Sequence, residues 1–168
     1  TSTGTLNLQA YANISGKSIV NINVMTHVIK ERVEKLYATG LTFEQANAQA
    51  KEELLQCLFG ISASGVNDFD QMDISLSGDD NAILLAFSVM MLRYNYTTPA
   101  ILTEFLTKLR SDFGEDGDIN DVQLIEKIYD NVRYLNIIKT RHNLENKYQS
   151  LGVNSHLPDY EKYINKFT

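Results

Sequence analysis

The stretch that most constrains this chain is Ala82 to Leu92, AILLAFSVMML, in which ten of eleven residues are apolar and only Ser88 is not. A helix that is apolar all round has no face to offer to water and must be buried on every side. Eleven residues are too few to cross a bilayer. The segment therefore reads as the central helix of a mostly α-helical domain. The remaining helices are expected to wrap around it.

The rest of the 168 residues supply those helices. A first helix is expected from Val24 to Ala38, with Met25, Val28, Ile29, Val33, Leu36 and Tyr37 as its apolar stripe. A second opens at Thr42 with Gln45 three residues on, a capping box. Gly60 is its stop. Thr98-Pro99 opens a further helix lined by Ile101, Leu102, Phe105, Leu106 and Leu109. Another begins near Asp121, and its apolar spacing either continues to Leu151 or breaks within. Pro158 opens a short terminal helix. The expected fold is a bundle-like domain of five or six helices over residues 23–168.

Residues 1–22 read differently. Thr5 to Ile14 alternates apolar and polar residues, Ser15-Gly16-Lys17-Ser18 offers a turn, and Ile19 to Ile22 is β-branched but for Asn21. This is expected to be a short β-hairpin or a single strand, the junction to an upstream domain. Ile61 to Gly78 has no helical period and reads as a long loop, pinned to the core by Phe69, Met72 and Ile74.

Composition narrows the function classes. Hydrophobic content of 43% and charged content of 21% are those of a globular chain. A net charge of −6 argues against nucleic acid or an anionic membrane surface as the main partner. A single cysteine, Cys57, rules out an internal disulfide, and its apolar context reads as a buried thiol rather than a nucleophile. His142 has no second ligand at i+3 or i+4 and reads as a surface or packed histidine. Asn13 and Asn95 head glycosylation-type triplets, a pattern common by chance. No leader or lipidation box is present, but the first residue is threonine, so the sequence reads as trimmed from a longer one.

Two constellations carry chemistry. Asp112 to Gln123 partly matches a twelve-residue calcium loop, with Asp112 at position one, Asp116 at five, Gly117 at six and Ile119 at eight. Position three is Gly114 and position twelve is Gln123, so two expected ligands are missing. Asp112, Asp116 and Asp118 are the candidate ligands of a weak calcium site. The plain alternative is a helix–loop–helix link in which Gly114 ends one helix and Asp118 caps the next. The second constellation is Asp79, Asp80 and His27, which a hydrolase could use if the fold brought them into one cleft. Otherwise Asp79 and Asp80 complement a helix N-terminus.

Val20-Asn21-Ile22-Asn23-Val24-Met25-Thr26-His27, followed by Glu31-Arg32-Val33 and Leu36, resembles the NINVLTHL-type signature of bacterial envelope lipoproteins common in the Bacteroidetes. Later landmarks keep the order of that pattern: Gly40-Leu41-Thr42-Phe43 with Ala46, Phe59-Gly60-Ile61, Asn81 to Ser88, Asp112 with Asp116-Gly117, and Asn143-Leu144 with Tyr148 and Leu151-Gly152. The resemblance implies a helical module placed after a lipoprotein signal and often a β-sandwich domain. It implies a cell-envelope location, at the outer membrane or surface, with membrane attachment only through a lipid anchor outside this stretch. It carries no catalytic residues. The functional expectation is a non-catalytic structural or interaction module, with a protein or glycan partner and no cofactor beyond a weakly held calcium. Asn23, Thr26 and His27, the polar positions of the signature, are expected to fix the start of the first helix.

Overall fold

A computed structural model describes residues 5–92, 98–154 and 156–167. Among them are seven α-helices: α1 (Val24–Ala38), α2 (Phe43–Phe59), α3 (Asp79–Met91), α4 (Pro99–Asp116), α5 (Val122–Arg133), α6 (Ile137–Ser150) and α7 (Glu161–Phe167), with a short 3-10 turn at Phe69–Gln71. The fold is mostly helical, and no strand occurs among the described residues.

The all-apolar stretch is α3. Ala82 to Phe87 and Val89 to Met91 are all buried, and the Ser88 hydroxyl donates to the Leu84 carbonyl at 2.7 Å. The one polar side chain of the segment is thus satisfied within its own helix. α3 packs on α1, α5 and α7, whereas α1 packs on α2, α3, α4 and the 3-10 turn. Each large apolar side chain withdrawn from water here stabilises the fold by about 1.5–3 kcal/mol. The helix count exceeds five or six because, of the two expectations for the stretch after Asp121, the structure shows the broken one, with the break at Tyr134–Asn136. The Asn136 carboxamide oxygen accepts the Lys139 N–H at 2.9 Å and starts α6 afresh.

The capping signals act as the sequence implies. Thr42 and Gln45 form the reciprocal box of α2, and Gly60 closes it in the left-handed region. α4 opens with Pro99 in its first turn. The long loop is pinned by Phe69 and Met72, both buried, while Ile74 is exposed and contributes only its carbonyl, which accepts the Tyr148 hydroxyl. Lys51 of α2 also holds the loop, donating to Val66 O and Asp68 Oδ1 at 3.0 Å each.

The expected N-terminal hairpin is not formed. The turn at Ser15–Gly16 is present, with Gly16 at φ 72°, but the chain on either side does not pair with itself. Its polar groups bind the helical body instead. The Gln9 N–H donates to His27 Nδ1 at 3.0 Å, the Asn21 N–H to Asp70 O at 2.8 Å, and Lys17 pairs with Asp70 at 2.7 Å. An isolated two-stranded hairpin is marginal in water, so bonds to an existing surface win. Ile14, Ile19 and Ile22 are left facing solvent.

Gly114 does not end a helix. It lies inside α4, buried where α4 crosses α1, and a Cβ there would meet Glu31 Cβ at 2.8 Å. α4 ends at Gly117, φ 89°, and α5 is capped by Asp121, not Asp118.

Candidate functional site

A groove of about 640 Å³ opens between the C-terminal end of α3, the C-terminal end of α5 and the first half of α6. It lies where the chain turns at Tyr134–Asn136, with α6 tied back to α7 through Arg141 and Glu161 and to the long loop through Tyr148 and the Ile74 carbonyl. Of the α6 side chains only Tyr148 is buried. Val89 and, just past the end of α3, Leu92 line the groove, with Asn131 from α5, Tyr134 just past its end, and Thr140, Asn143 and Leu144 from α6.

Asn131 is the distinctive wall residue. It is 5% exposed, and its Nδ2 donates to the Met90 carbonyl at 2.9 Å near the end of α3. Its Oδ1 has no hydrogen-bond partner and is itself sealed from solvent, so it faces the interior and not the groove. Tyr134, one turn further on, is 70% exposed. Two charged residues of opposite sign, Asp130 and Lys139, also line the groove. The groove thus offers carboxamides, a hydroxyl, an aromatic ring and aliphatic surface, with no cluster of converging titratable groups.

The carboxylates of the acidic loop each hold hydrogen-bond donors of the loop or of α2. Asp112 Oδ2 accepts the N–H groups of Asn120 and Asp121 at 2.8 and 3.2 Å. Asp116 Oδ1 accepts the Asp118 N–H at 3.1 Å, and both of its oxygens accept from the Asn120 side-chain amide. Asp118 Oδ1 accepts the Ile119 N–H at 2.8 Å and the Cys57 thiol at 3.1 Å. The three carboxylates converge on N–H and S–H donors rather than on one another. No group of three or more His, Cys, Asp or Glu side chains among the described residues is placed to hold a metal ion.

Asp79, Asp80 and His27 have separate partners. Asp79 accepts the Tyr163 hydroxyl at 2.7 Å and pairs with Lys162, tying α7 to the start of α3. These two donors hold its carboxyl below the usual range. Asp80 accepts the Asn67 N–H at 3.3 Å. His27 is 2% exposed and serves as acceptor for Gln9. Burial, with Arg110 nearby, pushes its pKa down. The Cys57 thiol is half-buried, not fully buried, and is pushed up to about 12 by burial and by its bond to Asp118.

The signature residues form a clasp. The Asn23 carboxamide oxygen accepts from the N–H groups of Met25 and Thr26 at 3.0 Å each, and the Thr26 hydroxyl accepts the Asn23 N–H at 2.9 Å. Asn23 Nδ2 reaches the Phe69 carbonyl at 2.6 Å, and Asn21 Nδ2 the Met72 carbonyl at 3.1 Å. These residues join the N-terminal arm, α1 and the long loop. Of the glycosylation-type asparagines, Asn13 donates to Glu44 at 2.9 Å. Asn95 lies outside the described residues. His142 is exposed on α6. No family model, curated protein or solved structure matches the chain.

The groove was not legible in the sequence. Its cue was Asn136, a helix-capping type of residue set within an otherwise continuous apolar period.

Proposed function

We propose that the chain is a non-catalytic interaction module of a bacterial cell-envelope lipoprotein, with the groove between α3, α5 and α6 as its docking surface. The observation that carries the docking role is the groove itself: a concave surface of the volume that small-molecule and side-chain ligands occupy, lined by carboxamides, a hydroxyl, an aromatic ring and aliphatic side chains. A catalytic reading would want acid, base or nucleophile groups converging in one cleft. His27 and Asp79 instead have partners in different parts of the fold. The envelope location rests on the NINVLTHL-type resemblance.

Metabolic labelling of the full-length chain with a fatty acid, followed by fractionation of the cells, tests this reading. It predicts labelled protein in the envelope fraction. An unlabelled protein in the cytoplasm contradicts the lipoprotein assignment. Hydrolysis of a generic ester or glycoside substrate, abolished by Asp79→Asn without a change in melting temperature, contradicts the non-catalytic one.

A further inference from the structure

We propose that residues 5–13 are a strap over α1 that acid lifts, with the bond from the Gln9 N–H to His27 Nδ1 as its latch.

The latch holds only a neutral ring. An N–H that donates to Nδ1 needs the lone pair there, so the ring proton sits on Nε2. The bond is 3.0 Å long, and His27 is 2% exposed in the first turns of α1. A proton added at Nδ1 sets one donor against another and places a charge where water does not reach. Burial, and then Arg110, hold the pKa of this ring below its ordinary value.

The charged ring gains no partner by staying in place. Arg110 from α4 and Glu31 and Lys30 from α1 act on it. Glu31 is already paired with Arg110 at 2.8 Å, and Lys30 with Glu34 at 3.0 Å. The charges on the other elements packed against α1 are engaged too. Asp70 of the 3-10 turn holds Lys17. On α2, Glu44 holds Asn13, Lys51 holds Asp68, Glu52 accepts the Ala63 N–H and Glu53 holds Arg32. On α3, Asp79 holds Lys162 and Asp80 accepts the Asn67 N–H. Elsewhere on α4, Glu104 pairs with Lys108 and Glu115 with Lys35, while Asp112 and Asp116 hold the donors of the acidic loop.

Water reaches the ring most cheaply from the arm side. Among the described residues, three hydrogen bonds tie 5–13 to the helices: Gln9 to His27, the Tyr11 hydroxyl to Glu34, and Asn13 to Glu44 at 2.9 Å. Leu8, Ala10 and Ala12 are half-buried, and the other residues of the stretch are exposed. Parting α1 from α2, α3 or α4 would instead expose core side chains, a far larger loss of buried apolar surface. Beyond the strap, Lys17 and the Asn21 N–H still hold Asp70, so the strap swings from that point rather than detaching. Tyr11, Ala12 and Asn13 also wall a cavity of about 240 Å³ whose far side is Phe43, Asn47 and Ala48 of α2. Lifting the strap opens that cavity to solvent.

The test is an NMR titration from about pH 8 to about pH 4 that follows the His27 ring nitrogens together with the heteronuclear NOE of the backbone amides, a measure of fast local motion. The NOE of Gln9 and Tyr11 should fall toward that of a free terminus with the same midpoint as the His27 ring, below pH 6.5, while the amides of α1 to α4 keep theirs. Gln9→Pro, at an exposed position, removes the N–H and should leave the strap mobile at every pH, with no step. His27→Gln, which cannot be charged, should also abolish the step. The proposal is overturned by a ring that charges under a rigid strap, or by one that stays neutral across the whole range. It is equally overturned by a strap that follows another midpoint or moves only as the core melts, or by a Gln9→Pro protein that keeps the parent's step.

Discussion

Replacing Gly114 with alanine sets two local effects against each other. In a helix interior alanine is favoured over glycine by about 0.8–1.0 kcal/mol, so propensity alone predicts a more stable protein. The structure predicts the reverse. A Cβ at position 114 would lie 2.8 Å from Glu31 Cβ and 3.6 Å from the Arg32 backbone nitrogen. Relaxed carbon–carbon contacts are about 3.5–4.0 Å, so the shortfall approaches 1 Å. The opposing atom is at the root of a side chain, where rotation gives no relief, and the two helices must separate. Around the contact, Arg110 pairs with Glu31 at 2.8 Å and Arg32 holds Glu53 through two bonds of 2.7 and 2.8 Å. Separation would strain those geometries as well. Overpacking costs about 1–3 kcal/mol, and the upper half applies here. Net of propensity, Gly114→Ala should destabilise by about 1–2 kcal/mol, lowering the melting temperature by about 2–8 °C. Thermal melts and urea titrations read this directly. In Glu31→Gly/Gly114→Ala the clash is gone, and a double-mutant cycle should return a coupling of opposite sign to the single effect. A Gly114→Ala protein that melts at or above the parent temperature refutes the close crossing.

Asn23→Ala removes a helix cap and the tie to Phe69 O together, and should cost about 1–2 kcal/mol in urea unfolding, with the long loop becoming more open to limited proteolysis. His27 gives a signed pH dependence. Its folded pKa lies below the ordinary 6.5, so the unfolded chain takes up the proton first. The stabilisation tied to neutral His27 is complete above about pH 6.5 and is lost as pH falls through the depressed folded value; in His27→Gln this part of the acid loss of the urea midpoint should vanish. Cys57 should resist alkylation at pH 8 while folded, since a thiol at about 12 is thiolate in about one molecule in ten thousand, and should react promptly once unfolded. Millimolar calcium should leave the melting temperature unchanged, because the loop carboxylates already hold N–H donors; a rise abolished by Asp116→Ala would establish a cation site.

Elements set by local chemistry were legible in the sequence. The all-apolar run at 82–92 could only be buried, and Thr42–Gln45 and Pro99 marked helix starts through groups that act within one turn. Elements set by what lies opposite were not. Gly114 looks like a stop signal until Glu31 is seen across from it. The alternation in residues 5–14 fits a strand, but His27, Glu34 and Glu44 on the helices take its polar groups one by one. The apolar period from Val122 runs past Tyr134, yet the break turns the later residues out of register with the core, and Ile138 ends 85% exposed. The groove depends on that break, and the carboxamides that line it are scattered over α5 and α6 with no local pattern to join them.

The most direct test of the docking groove is an amide-resolved NMR titration of the parent protein and Tyr134→Ala with a panel of small polar and aromatic fragments. Shifts gathered at residues 130–144, which line the groove, are expected for the fragments that bind, and they should weaken in Tyr134→Ala. Shifts gathered on another face, or none for any fragment, contradict a docking role for the groove.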